Sequence, residues 1–175
     1  MSIELDTDFL LVQKMRIGDE KAFERFVEKY YPAILKYCQV HIKDYGYAED
    51  MTQETFTRFF RTFKQYNHYG KAANYLYVIA ANVCKDFYRK KQELLLEDFP
   101  EASDENVNSM EDNLIISEAL ETLPDEVREV AVLFFIQERK QKDIATILEI
   151  RIPLVKYRIR RAKEMLSAYF GEEAL

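Results

Sequence analysis

Glycine and proline are scarce, four of each in 175 residues, and tryptophan is absent. So few turn-formers exclude a turn-rich sandwich or barrel and favour long helices joined by few breaks. No run of eighteen or more uncharged apolar residues exists, so no bilayer-spanning helix is expected. The opening stretch MSIELDTDFLLVQKMR is acidic where a secretory leader would be basic, and it has no small-residue cleavage site. Only two cysteines are present, Cys38 and Cys84. Both sit in apolar helical patterns without a pairing motif, which reads as reduced core thiols in a cytoplasmic protein.

What is abundant is apolar and charged material: 48% hydrophobic, 14% aromatic and 32% charged residues, with a net charge of −6. That total argues against a nucleic-acid partner until the charges are located. Eight acids and no Lys or Arg fall between Glu93 and Asp112, so the remainder carries a net charge of +2. Two basic clusters then stand out. KDFYRKK (85–91) holds four bases and one acid, and RIPLVKYRIRRAK (151–163) holds six bases and no acid.

Apolar residues recur at helical spacing through most of the chain. Helices are expected over about 8–16, from Asp19 onward with Pro32 kinking or splitting the second one, and over about 47–63 and 72–92. The segment KQYNHYGK reads as a loop. Residues from about Leu94 to Asn113, rich in acids, Ser and Asn, read as an extended linker. Four more helices are expected over 114–121, 125–137, 141–148 and 153–169, with Leu123-Pro124 as a start signal for the second of them. The last two have helix-turn-helix spacing. The fold class is therefore all-α, with two small helical domains at 1–93 and 114–175 joined by an acidic linker at 94–113.

The segment from Ala119 to Leu166 resembles the C-terminal DNA-binding domain of extracytoplasmic-function (ECF) sigma factors of bacterial RNA polymerase. The matching pieces are Leu123-Pro124, Arg128-Glu129, Asp143-Ile144-Ala145 with Leu148, and the run Val155 to Ala162. The first half is similar to the same family's other domain. GDEKAFERFVEKYY looks like its opening motif and YAEDMTQETFTRFFR like its polymerase-binding helix. ANYLYVIAANVCKDFYRKK looks like its promoter-melting helix, where Asn82, Asp86 and Arg89 match. The order of two domains and a linker covers most of the chain and is more specific than a lone helix-turn-helix.

The resemblance implies a non-enzymatic initiation factor. Its partners would be core RNA polymerase, promoter DNA and an anti-sigma factor, with no direct membrane insertion and no cofactor. Glu49, Asp50, Gln53 and Glu54 would dock on the clamp helices of the polymerase's largest subunit; the plain alternative is a helix start with dipole-favouring acids. Asn82, Lys85, Arg89 and Lys90 would face the minus-ten element, with Tyr66, Asn67 and His68 in the loop that holds a flipped-out base. For that loop the plain alternative is a polar surface turn, and His68 has no partner at metal-ligand spacing. Arg151, Lys156, Tyr157, Arg158, Arg160 and Arg161 would meet the minus-thirty-five element in the major groove; the alternative is a solvated basic helix. Tyr75 stands where the family usually has tryptophan and is taken as core. The linker would thread the polymerase cleft, its acids matching a channel built for RNA; the plain alternative is a soluble spacer that keeps the two basic surfaces apart.

The chain departs from the family pattern at Glu149, where a glycine is usual, at Arg151, where a serine cap is common, and at Leu154, where threonine is common. A left-handed Glu149 would carry strain on the order of 1 kcal/mol. Rival classes are a helix-turn-helix regulator that does not engage polymerase as a sigma subunit, and a helical interaction module without nucleic acid. As catalytic acids Asp50 and Glu54 are poor, with no nucleophile, metal set or pocket suggested by their neighbours.

Overall fold

A computed structural model describes residues 8–65, 71–96 and 111–171. Among them are eight α-helices and no strand. The chain divides into two compact units between Glu105 and Asn106.

In the first unit the helices are α1 (Phe9–Arg16), α2 (Glu20–His41), α3 (Tyr45–Thr62) and α4 (Ala72–Leu96), with a 3₁₀ turn at Phe63–Gln65. Polar caps start two of them. The Asp19 carboxylate accepts the Lys21 amide at 3.1 Å, and that of Asp44 accepts the Tyr47 amide at 3.0 Å. Gly18, at φ +84°, makes the left-handed bend between α1 and α2.

Pro32 does not split α2, which is continuous over 22 residues. Proline removes one ladder bond, but Pro32 and Glu28, whose carbonyl it leaves, both lie on the exposed side, where water can take that bond.

The core of this unit is aromatic. Phe26 and Phe59 stack at 4.9 Å and 14°, while Phe23 meets Phe60 edge-on at 5.4 Å. Thr52 and Thr55 are buried on α3 and return their hydroxyls to the carbonyls of Ala48 and Met51 at 2.8 and 2.7 Å, so no polar group is left unmet there. Cys38 and Cys84 are buried thiols not joined by a disulfide, with sulfurs 4.0 Å apart across the α2–α4 seam. The neighbouring Cys84 thiol and the Thr52 hydroxyl hold the Cys38 thiol below its ordinary pKa against the opposing effect of burial. Asp8, buried at the start of α1, receives Lys29 at 2.5 Å and the Tyr30 hydroxyl, tying α1 to α2.

The second unit holds α5 (Glu111–Glu121), α6 (Asp125–Ala131), α7 (Gln141–Leu148) and α8 (Ile152–Phe170). The single helix expected over 125–137 is instead α6 followed by a π turn at Val132–Ile136, closed by the Gln137 amide on the Val132 carbonyl at 3.0 Å. Glu138 follows in the left-handed region at φ +51°, so the chain turns out of the π turn toward α7. The core gathers Leu123, Val130, Leu133, Ile144, Val155 and Ile159, all buried.

At the ends of the expected linker, residues 94–96 belong to α4 and 111–113 to α5. Residues 97–110 lie outside the described part.

Candidate nucleic-acid and polymerase interface

On α3, burial of Ala48, Thr52, Thr55, Phe56 and Phe59 sets the inward face. Asp50 and Gln53 are consequently exposed, and Glu49 and Glu54 half-buried. Asp50, Gln53 and Glu54 follow i, i+3, i+4 and share one stripe. Glu54 is not a free acid, because Arg58 Nε donates to its Oε1 at 2.7 Å.

On α4, Asn82, Lys85, Asp86 and Arg89 follow i, i+3, i+4, i+7 and share a stripe beside the buried Ile79 and Val83. Lys85 and Lys90 are exposed, and the Lys90 charge acts on Asp86. Arg89 lies 3.5 Å from Asp86, and Asp86 also receives Arg58 from α3 at 2.9 Å. The Arg58 hydrogen bond is the main reason the Asp86 carboxyl lies below its ordinary value. Arg58 was not among the residues expected at a site. Its four-residue spacing from Glu54 was legible, but its bond to α4 was not.

Between α3 and α4 lies a groove of about 400 Å³ lined by Glu54, Arg58, Arg61, Thr62, Tyr75, Ile79 and Asn82. Tyr75 is therefore half-buried at a groove wall rather than fully in the core. Its ring is 5.8 Å from Phe59, and its hydroxyl is 2.9 Å from that of Thr62. Tyr66, Asn67 and His68 lie outside the described residues.

On α8, Val155, Ile159 and Ala162 are buried against α6 and α7. The opposite side exposes Lys156, Tyr157, Arg160 and Arg161, with Arg151 exposed at the helix start. The Arg160 guanidinium sits 5.7 Å from the Tyr157 ring centre, which orients it along the helix surface. Arg161 has a 3.7 Å contact with Glu164.

Arg158 is placed differently from its neighbours on α8. Its side chain is only 14% exposed and pairs at 2.5 Å with Glu126 of α6. At i−3 from Arg161 it lies at the edge of the outward face, where its pairing ties α8 to α6.

Glu149 is left-handed at φ 53°, ψ 41°, and the next amide, of Ile150, reaches back to the Ala145 carbonyl at 3.0 Å. The usual glycine geometry is thus kept by a residue with a Cβ, and Arg151 starts α8 without any side-chain cap bond. Glu149→Gly is expected to raise stability by up to about 0.5 kcal/mol, because strain of about 1 kcal/mol is relieved while glycine adds unfolded-state freedom. Glu149→Ile should lower it, and thermal unfolding of the two variants checks both signs.

The family models for Sigma-70 region 2 and Sigma-70 region 4 match residues 26–93 and 113–166. The chain is 30% identical over 172 residues to the ECF RNA polymerase sigma factor SigW of Bacillus subtilis, covering 89% of this chain and 92% of that one. It is 27% identical over 155 residues to SigM of the same organism, covering 85% and 94%. The fold matches that of CnrH, solved in complex with the cytosolic domain of CnrY, at a TM-score of 0.77 and 23% identity over 95% of this chain and 99% of that one. It also matches the sigma factor RpoE of Bartonella quintana, solved with the anti-sigma factor NepR, at a TM-score of 0.72 and 20% identity over 87% and 99%.

Proposed function

The chain belongs to the ECF sigma factors of bacterial RNA polymerase, and from that premise we propose how its own residues divide the work of promoter-specific initiation. The stripe of Asp50 and Gln53, flanked by Glu49 and Glu54, docks on the clamp helices of the polymerase's largest subunit, where complementary bases meet the acids. Asn82, Lys85, Arg89 and Lys90 face the minus-ten element, with Tyr66, Asn67 and His68 taking the flipped-out base. Arg151, Lys156, Tyr157, Arg160 and Arg161 face the minus-thirty-five element. Residues 1–93 and 114–175 act as the two functional domains, joined by the acidic segment that threads the polymerase.

The observation that carries this division is the exposure of Asp50 and Gln53 on one helix and of cations on two others, each opposite a packed apolar face. Polar side chains held outward by a buried stripe are available to a partner without unfolding their own domain. The chain itself supplies no catalytic step in this reading. A fold neighbour solved with an anti-sigma factor supports a partner of that kind for this chain. Among the described residues no helix is long and apolar enough to cross a membrane, which agrees with action beside the chromosome in the cytoplasm.

Reconstitution of the full chain with core polymerase on a promoter library, read by sequencing the start sites, tests the whole reading. Start sites that share no upstream motif would refute it. Asp50→Arg is expected to leave thermal unfolding unchanged, because Asp50 is exposed, and to weaken core binding by tenfold or more through like-charge juxtaposition. Competition against the parent chain for limiting core measures that loss. Arg160→Ala should cost about 1–3 kcal/mol of promoter affinity if its guanidinium reads a base, with relaxed preference at one position. A uniform loss across sequences, with a shallower salt dependence, would assign it to phosphate instead.

A further inference from the structure

Four charges form one chain between the two working helices of the first unit. Glu54 of α3 accepts Arg58 Nε at 2.7 Å, Arg58 Nη1 reaches Asp86 of α4 at 2.9 Å, and Asp86 Oδ1 lies 3.5 Å from Arg89 Nη2. Their order alternates in sign: acid, base, acid, base. Arg58 suits the middle position because its planar guanidinium presents Nε and Nη1 to two carboxylates in a fixed geometry. The Arg58 and Asp86 side chains are about one-third exposed, at 33% and 34%, so their contacts are screened less than those of free surface ions. The two carboxylates also hold the Arg58 guanidinium above its already high pKa, so it stays charged in the bridge.

One end of this chain is an acid assigned above to polymerase docking, and the other a cation assigned to promoter DNA. We propose that Arg58 is the positioning residue that couples the two events, a step that rests on the functional reading above. When a polymerase base takes the Glu54 carboxylate, Arg58 is left to Asp86 alone. Asp86, its charge met by Arg58, then holds Arg89 less tightly, and the Arg89 guanidinium is free for a phosphate or base edge. Docking therefore raises affinity for DNA, and by linkage DNA raises affinity for polymerase by the same factor.

The experiment uses the full-length chain, core polymerase, and a labelled single-stranded oligonucleotide carrying the minus-ten sequence recovered from the start-site map. The readout is the ratio of core affinity with and without the oligonucleotide, measured at fixed low salt. A ratio of about fivefold is expected for the parent chain, near the low end for coupled sites. Arg58→Met should bring the ratio close to one with oligonucleotide binding weak, since Asp86 keeps Arg89. Asp86→Asn should also bring it close to one, but with oligonucleotide binding to the chain alone already raised, since Arg89 starts free. The second variant keeps the side-chain shape and serves where the first fails to fold. A merely structural role for Arg58 would lower both affinities and leave their ratio unchanged. A ratio of one in the parent, or a parental ratio in either folded variant, overturns the coupling. A parent chain that binds no core overturns the functional reading instead.

Discussion

Phe59→Ala is expected to cost the first unit about 3–5 kcal/mol, the range for removing a large buried aromatic side chain. Phe59 is fully buried, stacks on Phe26 at 4.9 Å, and meets Phe60, Phe63 and Tyr75 within 6 Å. Truncation leaves a void that neighbouring rings cannot close, because each is already held by other rings. A loss of that size is a large share of the 5–15 kcal/mol typical of a folded domain. Calorimetry of the full chain should show one transition falling by about 15 °C or more, with the transition of the second unit unmoved. Core binding should disappear with the shifted transition, since α3 carries the stripe proposed to dock on polymerase. A shift below about 5 °C would mean that the site collapses around the missing ring, or that the packing is looser than described.

Arg128→Ala is expected to destabilise the second unit by about 2–4 kcal/mol, since hydrogen bonds to charged groups are worth about 1.5–3 kcal/mol each when their partners are left unmet. The guanidinium donates to the carbonyls of Leu120, Glu121 and Leu123 at 2.9, 3.1 and 2.8 Å. These are the last carbonyls of α5 and of the turn into α6, and that of Leu120 also accepts the Leu123 amide at 3.1 Å. The accompanying Asp125 contact, at 3.1 Å to a largely exposed carboxylate, adds little. Arg128→Lys should recover only part of the loss, because one ammonium cannot serve three carbonyls spread around a helix end. Chemical denaturation of the second unit, followed by far-ultraviolet circular dichroism, measures both variants. Equal stability of parent and Ala variant would show that water replaces the guanidinium at no cost.

Arg128 illustrates how far the sequence can be read. It was visible as part of an arginine-glutamate pair within a family pattern, yet nothing local to it indicates that its side chain closes a helix ending seven residues earlier. Arg58 and Arg158 behave alike. Each lies in a cationic or polar run, and each is engaged by an acid 28 or 32 residues away, Asp86 for Arg58 and Glu126 for Arg158. Pro32 shows the opposite limit. Its local chemistry predicts a kink or a split, and the exposed position of the turn it disturbs lets α2 continue without a split. At Glu149 the sequence left open whether the turn keeps the shape of the family's glycine, and the structure keeps it although the residue differs.

Helix positions and their apolar faces were legible because they depend on residues three and four apart. So was the placement of acids between the two domains and of bases at the ends of α4 and α8. Those features arise within a turn or two of the chain, and they carried the all-α class, the two-domain order and the family. The sequence by itself also determined which residue types are available to polymerase and promoter. The tertiary structure alone decided which of those charges remain free. Lys156 and Arg160 face outward, while Arg58, Arg128 and Arg158 are held by groups on other helices or at another helix's end. The physical reason is that an ion pair depends on distance in space, and packing brings together charges that the chain keeps far apart.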